Sequence, residues 1–205
     1  MMDTRYTPNP ERAMNAAALA WERLTHGGPA MFPEQVAIYR NVAQRSRGRR
    51  VLDVGCGIGV GTNVLSHWGC HVLGVDISAD ALQIARGLYP EITFLPWDIT
   101  RGPVVVDQDQ RAEVCLAVEL IEHIEDTVSA VRHLLASGRV VILSTPNRAA
   151  PVLRPDRPSN PYHVREYTPR EMLELLGPAV IRDPYSWQEV GPDSLMTPLV
   201  YEVIG

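Results

Sequence analysis

The residue types best suited to chemistry are concentrated in residues 119–123, Glu-Leu-Ile-Glu-His. The segment follows a short apolar run that predicts a buried strand, and a helix is expected to begin where that strand ends. Residues i, i+3 and i+4 of a helix share one face, which would make the two carboxylates and the imidazole neighbours. Such groups are ligands for a divalent cation such as Mg²⁺ or Mn²⁺, and a distant histidine adds another. The predicted metal ligands are Glu119, Glu122, His123 and His163.

Two other interpretations of these residues stay open. In the first, His123 acts without a metal as the general base that removes a proton from the reacting group, with Glu122 beside it. In the second, the residues are structural: Glu122 is a first-turn acid that complements the helix dipole, and His163 is an ordinary loop residue. Only the first of these makes His123 and Glu122 catalytic, and only a metal site needs His163.

A second chemical group is the glycine-rich stretch of residues 53–59, Asp-Val-Gly-Cys-Gly-Ile-Gly, between a predicted strand and a predicted helix. Glycines allow a tight turn and a close approach of a ligand to the backbone, and the helix N-terminus offers unpaired N–H groups. Asp53 would repel a pyrophosphate but suits a cationic aminoacyl group or a sulfonium. Asp76 ends the next predicted strand, where an acidic residue accepts hydrogen bonds from a ribose diol. The stretch therefore predicts a cofactor that contains an aminoacyl group and a nucleoside.

The elements that must position these groups alternate along the chain. Alternating strands and helices predict right-handed crossovers and a parallel sheet covered on both faces. A short link joins the last two strand-like runs, so those two should pair antiparallel. The predicted strands are 50–54, 71–76, 92–95, 113–118, 139–144, 185–190 and 199–204; the predicted helices are 32–45, 59–67, 78–88, 121–135 and 168–176, with a further one after Asn9.

With its glycine loop, Asp76 and Trp97-Asp98-Ile99, the sequence resembles the class I S-adenosylmethionine-dependent methyltransferases over about residues 48 to 176. The resemblance implies a Rossmann-like α/β fold with a seven-stranded, mostly parallel sheet of order 3-2-1-4-5-7-6 and an antiparallel last strand. It also implies S-adenosylmethionine as cofactor, with its methionine part on the glycine loop, its ribose on Asp76 and its adenine near Asp98. The cofactor residues expected on this basis are Asp53, Gly55, Cys56, Gly57, Gly59, Asp76, Ile77, Asp98, Ile99 and Glu119.

A narrower resemblance rests on Glu-x-x-Glu-His followed by a distant histidine. This pattern is similar to the ubiquinone-biosynthesis O-methyltransferases and to the small-RNA 3′-terminal 2′-O-methyltransferases, in which a divalent metal holds the substrate hydroxyls. It implies methyl transfer to a hydroxyl, with a metal that lowers the hydroxyl's pKa. This chain has almost nothing outside the core domain, which leaves the substrate itself open.

The segment after the fifth strand carries five prolines between residues 146 and 161 and five arginines between residues 148 and 170. A loop of this length, 146–168, is interpreted as a lid, and residues 1–47 as N-terminal helices over the site of a single domain, 1–205. Guanidinium groups bind carboxylates and phosphates, so an anionic small-molecule acceptor is one hypothesis. A solvated loop is the other. The arginines are Arg148, Arg154, Arg157, Arg165 and Arg170.

Composition narrows the function classes. The formal net charge of −5 argues against a dedicated nucleic-acid binder. Three scattered cysteines, no apolar run of membrane-helix length and no signal peptide favour a reducing cytoplasm. The sequence therefore predicts an enzyme that methylates the oxygen of a small molecule. The alternatives are an RNA or DNA methyltransferase, a catalytically silent cofactor-binding module and, more distantly, a nicotinamide-dependent oxidoreductase.

Overall fold

Short apolar strands alternate with amphipathic helices in the computed structural model, which describes residues 31–105, 111–151, 158 and 160–205. Seven strands in this described part form one sheet of order β3-β2-β1-β4-β5-β7-β6. The predicted fold class and strand order are thus confirmed. The strands are β1 (Arg50–Val54), β2 (His71–Asp76), β3 (Thr93–Pro96), β4 (Ala112–Val118), β5 (Gly138–Thr145), β6 (Val180–Arg182) and β7 (Leu199–Ile204).

Three of the five described helices begin at a side-chain cap. The Ser78 side chain accepts a hydrogen bond from the Ala81 backbone, and Asp126 does the same for Ser129. Thr168 and Glu171 form a capping box, with a proline at the first helical position. The helices are α1 (Pro33–Arg45), α2 (Val60–His67), α3 (Ala79–Leu88), α4 (Thr127–Ser137) and α5 (Pro169–Leu176).

Alternate residues of each central strand serve opposite faces of the sheet. In β4, Val114, Leu116 and Val118 pack with α1 and α2, whereas Cys115 and Ala117 pack with α4 and α5. Strands buried on both faces are typical of a parallel sheet covered by helices. The parallel register aligns the carboxyl ends of β2, β1, β4 and β5 at one edge, where ligands bind in open α/β sheets.

The antiparallel end of the sheet corrects one prediction. β7 runs antiparallel to both β5 and β6, as expected. Its hairpin partner, however, is Val180–Arg182, and the run 185–190 contributes only an isolated bridge between Arg182 and Glu189. Asp183 explains this, because its carboxylate accepts hydrogen bonds from the backbones of Tyr185 and Ser186 and closes a turn there.

Several predicted features lie wholly or partly outside the described residues. Of the N-terminal helices over 1–47, only α1 is described. In the 146–168 loop, residues 152–157 and 159 fall outside, and with them Arg154 and Arg157.

Candidate active site

The glycine loop follows β1 and leads into α2. All three glycines have positive φ, at 75° for Gly55, 54° for Gly57 and 82° for Gly59. A Cβ on Gly55 would lie 2.7 Å from the Leu120 side chain, and one on Gly59 would lie 2.7 Å from Phe94. A Cβ on Gly57 would meet nothing within 4 Å. The middle glycine therefore borders open space, while the other two allow close packing.

Asp76, at the end of β2, faces this loop. Its Oδ2 accepts a hydrogen bond from the Gly57 backbone N–H at 2.8 Å, and its Oδ1 accepts one from Ser78 at 2.8 Å. Burial raises the pKa of Asp76 above its ordinary value. The carboxylate is thus held at the open edge beside Gly57, the position where the sequence predicts a ribose contact.

Asp53 is fully buried, with partners that the sequence analysis did not find. Its Oδ1 accepts from the Tyr39 hydroxyl at 3.1 Å and its Oδ2 from the Thr62 hydroxyl at 2.6 Å. Burial raises the pKa of this carboxyl to about 6. The Tyr39 ring occupies the space where a Cβ on Gly61 would stand. Asp53 therefore ties α1 and α2 to the start of the loop, and both its oxygens bond to the protein's own hydroxyls. In the sequence, only the glycine at position 61 could have indicated this packing, because any side chain there would overlap the Tyr39 ring.

The residues predicted to lie near the adenine, and Trp97 next to them in the motif, differ in exposure. Ile77 is 44% exposed and Trp97 40%, whereas Ile99 is 5% exposed and belongs to the core. Asp98 accepts hydrogen bonds at Oδ1 from the backbone and hydroxyl of Thr100, and its Oδ2 lies 3.2 Å from Arg101 Nε. Cys56 is buried against α3 and Phe94. Ile77 and Trp97 therefore offer apolar surface at the edge, while Asp98 closes a turn.

The backbone after β4 corrects a second prediction. Instead of a helix from residue 121, a single 3-10 turn covers Ile121–His123, and α4 begins only at Thr127. Glu119 has a positive φ of 51°, so it cannot be the first residue of an α-helix. Asp126 supplies the cap that the sequence analysis overlooked. The expected i, i+3, i+4 alignment of Glu119 with Glu122 and His123 is thus wrong.

The structure nevertheless brings three of the four predicted metal ligands together. Glu122, His123 and His163 each present a ligand atom, and these atoms lie within 4.8 Å of one another. The two imidazole rings stand edge to face, with centroids 4.8 Å apart. The 3-10 turn places Glu122 and His123 side by side, and the segment that returns after the proline-rich loop delivers His163.

Glu122 is completely buried. Its Oε2 accepts from the Thr145 hydroxyl at 3.0 Å, while its Oε1 has no hydrogen-bond partner among the described residues. Burial, reinforced by the charge of Glu119, raises the pKa of Glu122 well above its ordinary value. A buried carboxylate oxygen without a partner is costly unless a ligand or cation satisfies it.

Glu119 lies outside the three-residue group. Its Oε1 accepts from the Ser144 hydroxyl at 2.8 Å, and its backbone N–H donates to the Ser144 carbonyl. Burial raises the pKa of Glu119 to about 7. Ser144 and Thr145, adjacent at the end of β5, thus hold one carboxylate each.

Each of the two imidazoles makes a hydrogen bond through its Nδ1 atom. His123 Nδ1 lies 3.1 Å from the Tyr162 carbonyl, and His163 Nδ1 lies 2.7 Å from Glu166 Oε1. A carbonyl oxygen can only accept, so Nδ1 of His123 carries the proton and Nε2 keeps its lone pair. Metal-binding histidines in proteins are commonly held in this way.

The arginines after β5 are largely engaged by the protein itself. Arg148 and Arg165 both contact Glu171, at 2.8 and 2.9 Å, and Arg170 contacts Asp193 at 2.7 Å. Arg165 thus joins the segment around His163 to α5, Arg148 joins the start of the loop to the same helix, and Arg170 joins α5 to the chain near residue 193.

Comparisons with known proteins agree with this architecture. Residues 31–178 match the family model described as a methyltransferase domain. The chain is 32% identical over 148 residues to a "Probable S-adenosylmethionine-dependent methyltransferase" of Mycolicibacterium smegmatis, covering 71% of this chain and 56% of that protein. It is 32% identical over 146 residues to a "Ubiquinone biosynthesis O-methyltransferase" of Bordetella parapertussis, covering 67% and 60%. The chain thus spans little more than half the length of these relatives.

Among solved structures, a TehB-like SAM-dependent methyltransferase from Corynebacterium glutamicum superimposes with a TM-score of 0.67. The match covers 95% of this chain and 98% of that one at 18% identity, which supports the fold alone. None of the helices in the described part of the chain has the length and apolar character needed to cross a membrane.

Proposed function

The chain belongs to the methyltransferase domain family; from this premise we propose that it is an S-adenosylmethionine-dependent enzyme that methylates a hydroxyl group of a small molecule with the help of a divalent cation. The proposed cation ligands are Glu122, His123 and His163. Glu119 stands beside them as a second carboxylate, and the whole chain is proposed to form one domain.

The edge of β1 and β2 fits the cofactor. Open space borders Gly57, the Asp76 carboxylate stands next to it, and Ile77 and Trp97 expose apolar surface beyond. A nucleoside needs this combination of an acceptor for its hydroxyls and an apolar surface for its base. Asp53 is proposed to act through the loop, because its oxygens already bond to Tyr39 and Thr62.

The observation that carries the proposed cation site is the group of Glu122, His123 and His163, in which Glu122 also has an Oε1 atom without a hydrogen-bond partner among the described residues. Two imidazoles and a carboxylate of this kind suit Mn²⁺, Fe²⁺ or Zn²⁺, and the oxygen donors also admit Mg²⁺. The Nδ1 hydrogen bonds of both histidines support the same role, since a neutral imidazole protonated on Nδ1 has its lone pair on Nε2.

The residues of the chain divide the work of the reaction. A bound cation supplies positive charge that lowers the pKa of an acceptor hydroxyl and fixes its position. The glycine loop and Asp76 would bind the methyl donor and hold it in one orientation next to the acceptor hydroxyl. Gly55 in the glycine loop packs closely against the Leu120 side chain, so the proposed cofactor position lies next to the segment that carries Glu122 and His123. Glu119 is a second, partly buried carboxylate beside this group, and burial raises its pKa to about 7.

The nature of the acceptor is proposed only as a small hydroxyl compound. The name of the Bordetella relative supports an oxygen acceptor. An anionic acceptor remains a prediction, and the ion pairs of Arg148, Arg165 and Arg170 with carboxylates give it no support.

Calorimetry tests the proposal directly. Mn²⁺ and Mg²⁺ are titrated into the protein saturated with S-adenosylhomocysteine, with the Glu122→Ala/His123→Ala double variant as control. We expect saturable binding by the wild type and none by the double variant. Binding that the double variant retains would place the cation elsewhere. A wild type that binds S-adenosylhomocysteine but no cation would return His123 to the role of a metal-free base and reopen nitrogen and carbon acceptors.

A further inference from the structure

Glu166 is not part of the proposed ligand set, yet its side chain contacts His163, which is. Glu166 is 2% exposed and its Oε1 lies 2.7 Å from His163 Nδ1. Burying a carboxylate costs free energy unless hydrogen bonds or charges compensate it. A glutamate held at this position therefore calls for a reason beyond filling space.

The path of the backbone around His163 is fixed without the Glu166 side chain. The N–H groups of Val164 and Arg165 both donate to the Glu122 carbonyl, at 2.7 and 3.3 Å. The His163 N–H donates to Asn160, and the Tyr167 hydroxyl bonds to Thr127 at 2.7 Å. These bonds anchor the segment on both sides of the histidine. What they leave undetermined is the orientation of the His163 ring and the nitrogen that carries its proton.

We propose that Glu166 is a positioning residue that keeps the proton of His163 on Nδ1 and so presents Nε2 to Glu122 and His123. The carboxylate accepts the Nδ1–H bond, and a neutral imidazole with Nδ1 protonated has its lone pair on Nε2. His123 reaches the same state through the Tyr162 carbonyl. The Glu166 side chain thus accepts the Nδ1 hydrogen bond of His163, and a backbone carbonyl accepts that of His123. The inference rests on the proposed cation-assisted function.

The first experiment observes the tautomer in the metal-free chain. Histidine labelled with ¹⁵N is followed by long-range ¹H–¹⁵N correlation at about pH 8, where imidazoles are neutral, with His163 assigned from the His163→Gln variant. Wild type and Glu166→Gln, whose amide oxygen can still accept, are expected to show Nδ1–H. Glu166→Ala is expected to show a mixture with Nε2–H. His133 is an internal reference, because its Nδ1 lies 2.7 Å from the Ile99 carbonyl and should stay protonated in all variants.

The second experiment titrates Mn²⁺ into the same proteins. Glu166→Ala is expected to lose about 10- to 100-fold in affinity, as is usual when the outer partner of a ligating histidine is removed, and Glu166→Gln far less. An unchanged tautomer in Glu166→Ala, or a changed tautomer with unchanged Mn²⁺ affinity, would overturn the inference while wild-type binding left the proposed function intact. Wild-type protein that bound no cation would overturn both. Glu166→Gln keeps the side-chain volume, so it separates a loss of orientation from a loss of folding.

Discussion

The two halves of the candidate site are built in opposite ways. In the cofactor half, at β1 to β3, the acidic side chains already bond to the protein: Asp53 to two hydroxyls and Asp76 to two backbone N–H groups. In the proposed cation half, Nδ1 hydrogen bonds hold His123 and His163, and Glu122 Oε1 has no hydrogen-bond partner among the described residues. The first half shapes a space from backbone and buried carboxylates, whereas the second brings three potential ligand atoms within 4.8 Å of one another.

The halves also differ in how far apart their parts lie in the sequence. The cofactor half is one loop with two strand ends, all within residues 53–98. The cation half combines a 3-10 turn, the end of β5 and a segment near residue 163. A local motif is held by its own backbone geometry, while an assembled one depends on hydrogen bonds between distant segments. Mutations should therefore act on the first half through folding and on the second through orientation.

The largest expected effect is on the pH dependence of folding through Asp53. Its pKa rises from 3.8 to about 6 on folding, so the native state holds a proton that the unfolded state has released between these values. Stability therefore falls as pH rises through this window, by about 3 kcal/mol in total. Asp53→Asn removes this loss. Denaturant unfolding of both proteins from pH 4 to 7 should show the wild type losing about that much relative to the variant.

Asp126→Asn is the matched control for Asp53. Asp126 caps α4 at the surface, and its hydrogen bond to Ser129 lowers its pKa. A lowered pKa gives stability that is present above the unfolded pKa and lost as pH falls. The stability difference between wild type and Asp126→Asn should therefore change with pH in the opposite direction to the difference between wild type and Asp53→Asn. If the free energy of unfolding changed with pH equally in wild type and Asp53→Asn, Asp53 would not be buried as a carboxylate. The difference between the two halves would then not hold at this residue.

The second prediction tests whether the space beside Gly57 belongs to the cofactor. Gly57 and Gly48 both have positive φ, and a Cβ on either would meet nothing within 4 Å. Alanine at either position should therefore cost about 1 to 2 kcal/mol of folding stability through backbone strain alone. Only Gly57→Ala should also weaken S-adenosylhomocysteine binding, by tenfold or more in calorimetry, because its methyl group enters the proposed cofactor space. Equal affinities of the two variants would remove the cofactor from this loop.

The same contrast explains what the sequence could predict. The positions of most strands, the glycine loop and Asp76 followed from local patterns, because each depends on residues close together in the chain. The strand order followed from the family resemblance instead. The meeting of Glu122, His123 and His163 was also predicted, but the assumed reason, a helix from residue 121, was wrong. Asp126 in fact starts that helix later, and a 3-10 turn makes the site.

Partners contributed by distant segments were out of reach of sequence patterns. Tyr39 bonds to Asp53 from 14 residues away, Thr145 to Glu122 from 23, and the Tyr162 carbonyl to His123 from 39. Nothing in the types or spacing of these residues indicates the pairing, which arises only when the sheet aligns the ends of its strands. The misplaced hairpin strand has a local cause instead, since the turn at Asp183 ends β6 before residue 185.

The smallest expected effect separates the two carboxylates of the cation half. Thr145→Val removes the hydroxyl that donates to Glu122, and Ser144→Ala removes the one that donates to Glu119. Because Glu122 is in the ligand group and Glu119 is not, the first change should weaken Mn²⁺ binding by a few-fold to about tenfold and the second by less. Both side chains are small and buried, so thermal unfolding of the two variants controls for packing. If Ser144→Ala had the larger effect on Mn²⁺ affinity, Glu119 would be a ligand after all. The cation would then bind Glu119 in place of the hydrogen bond from the Ser144 hydroxyl. In both halves, ligand binding would then replace hydrogen bonds that the carboxylates make with the protein.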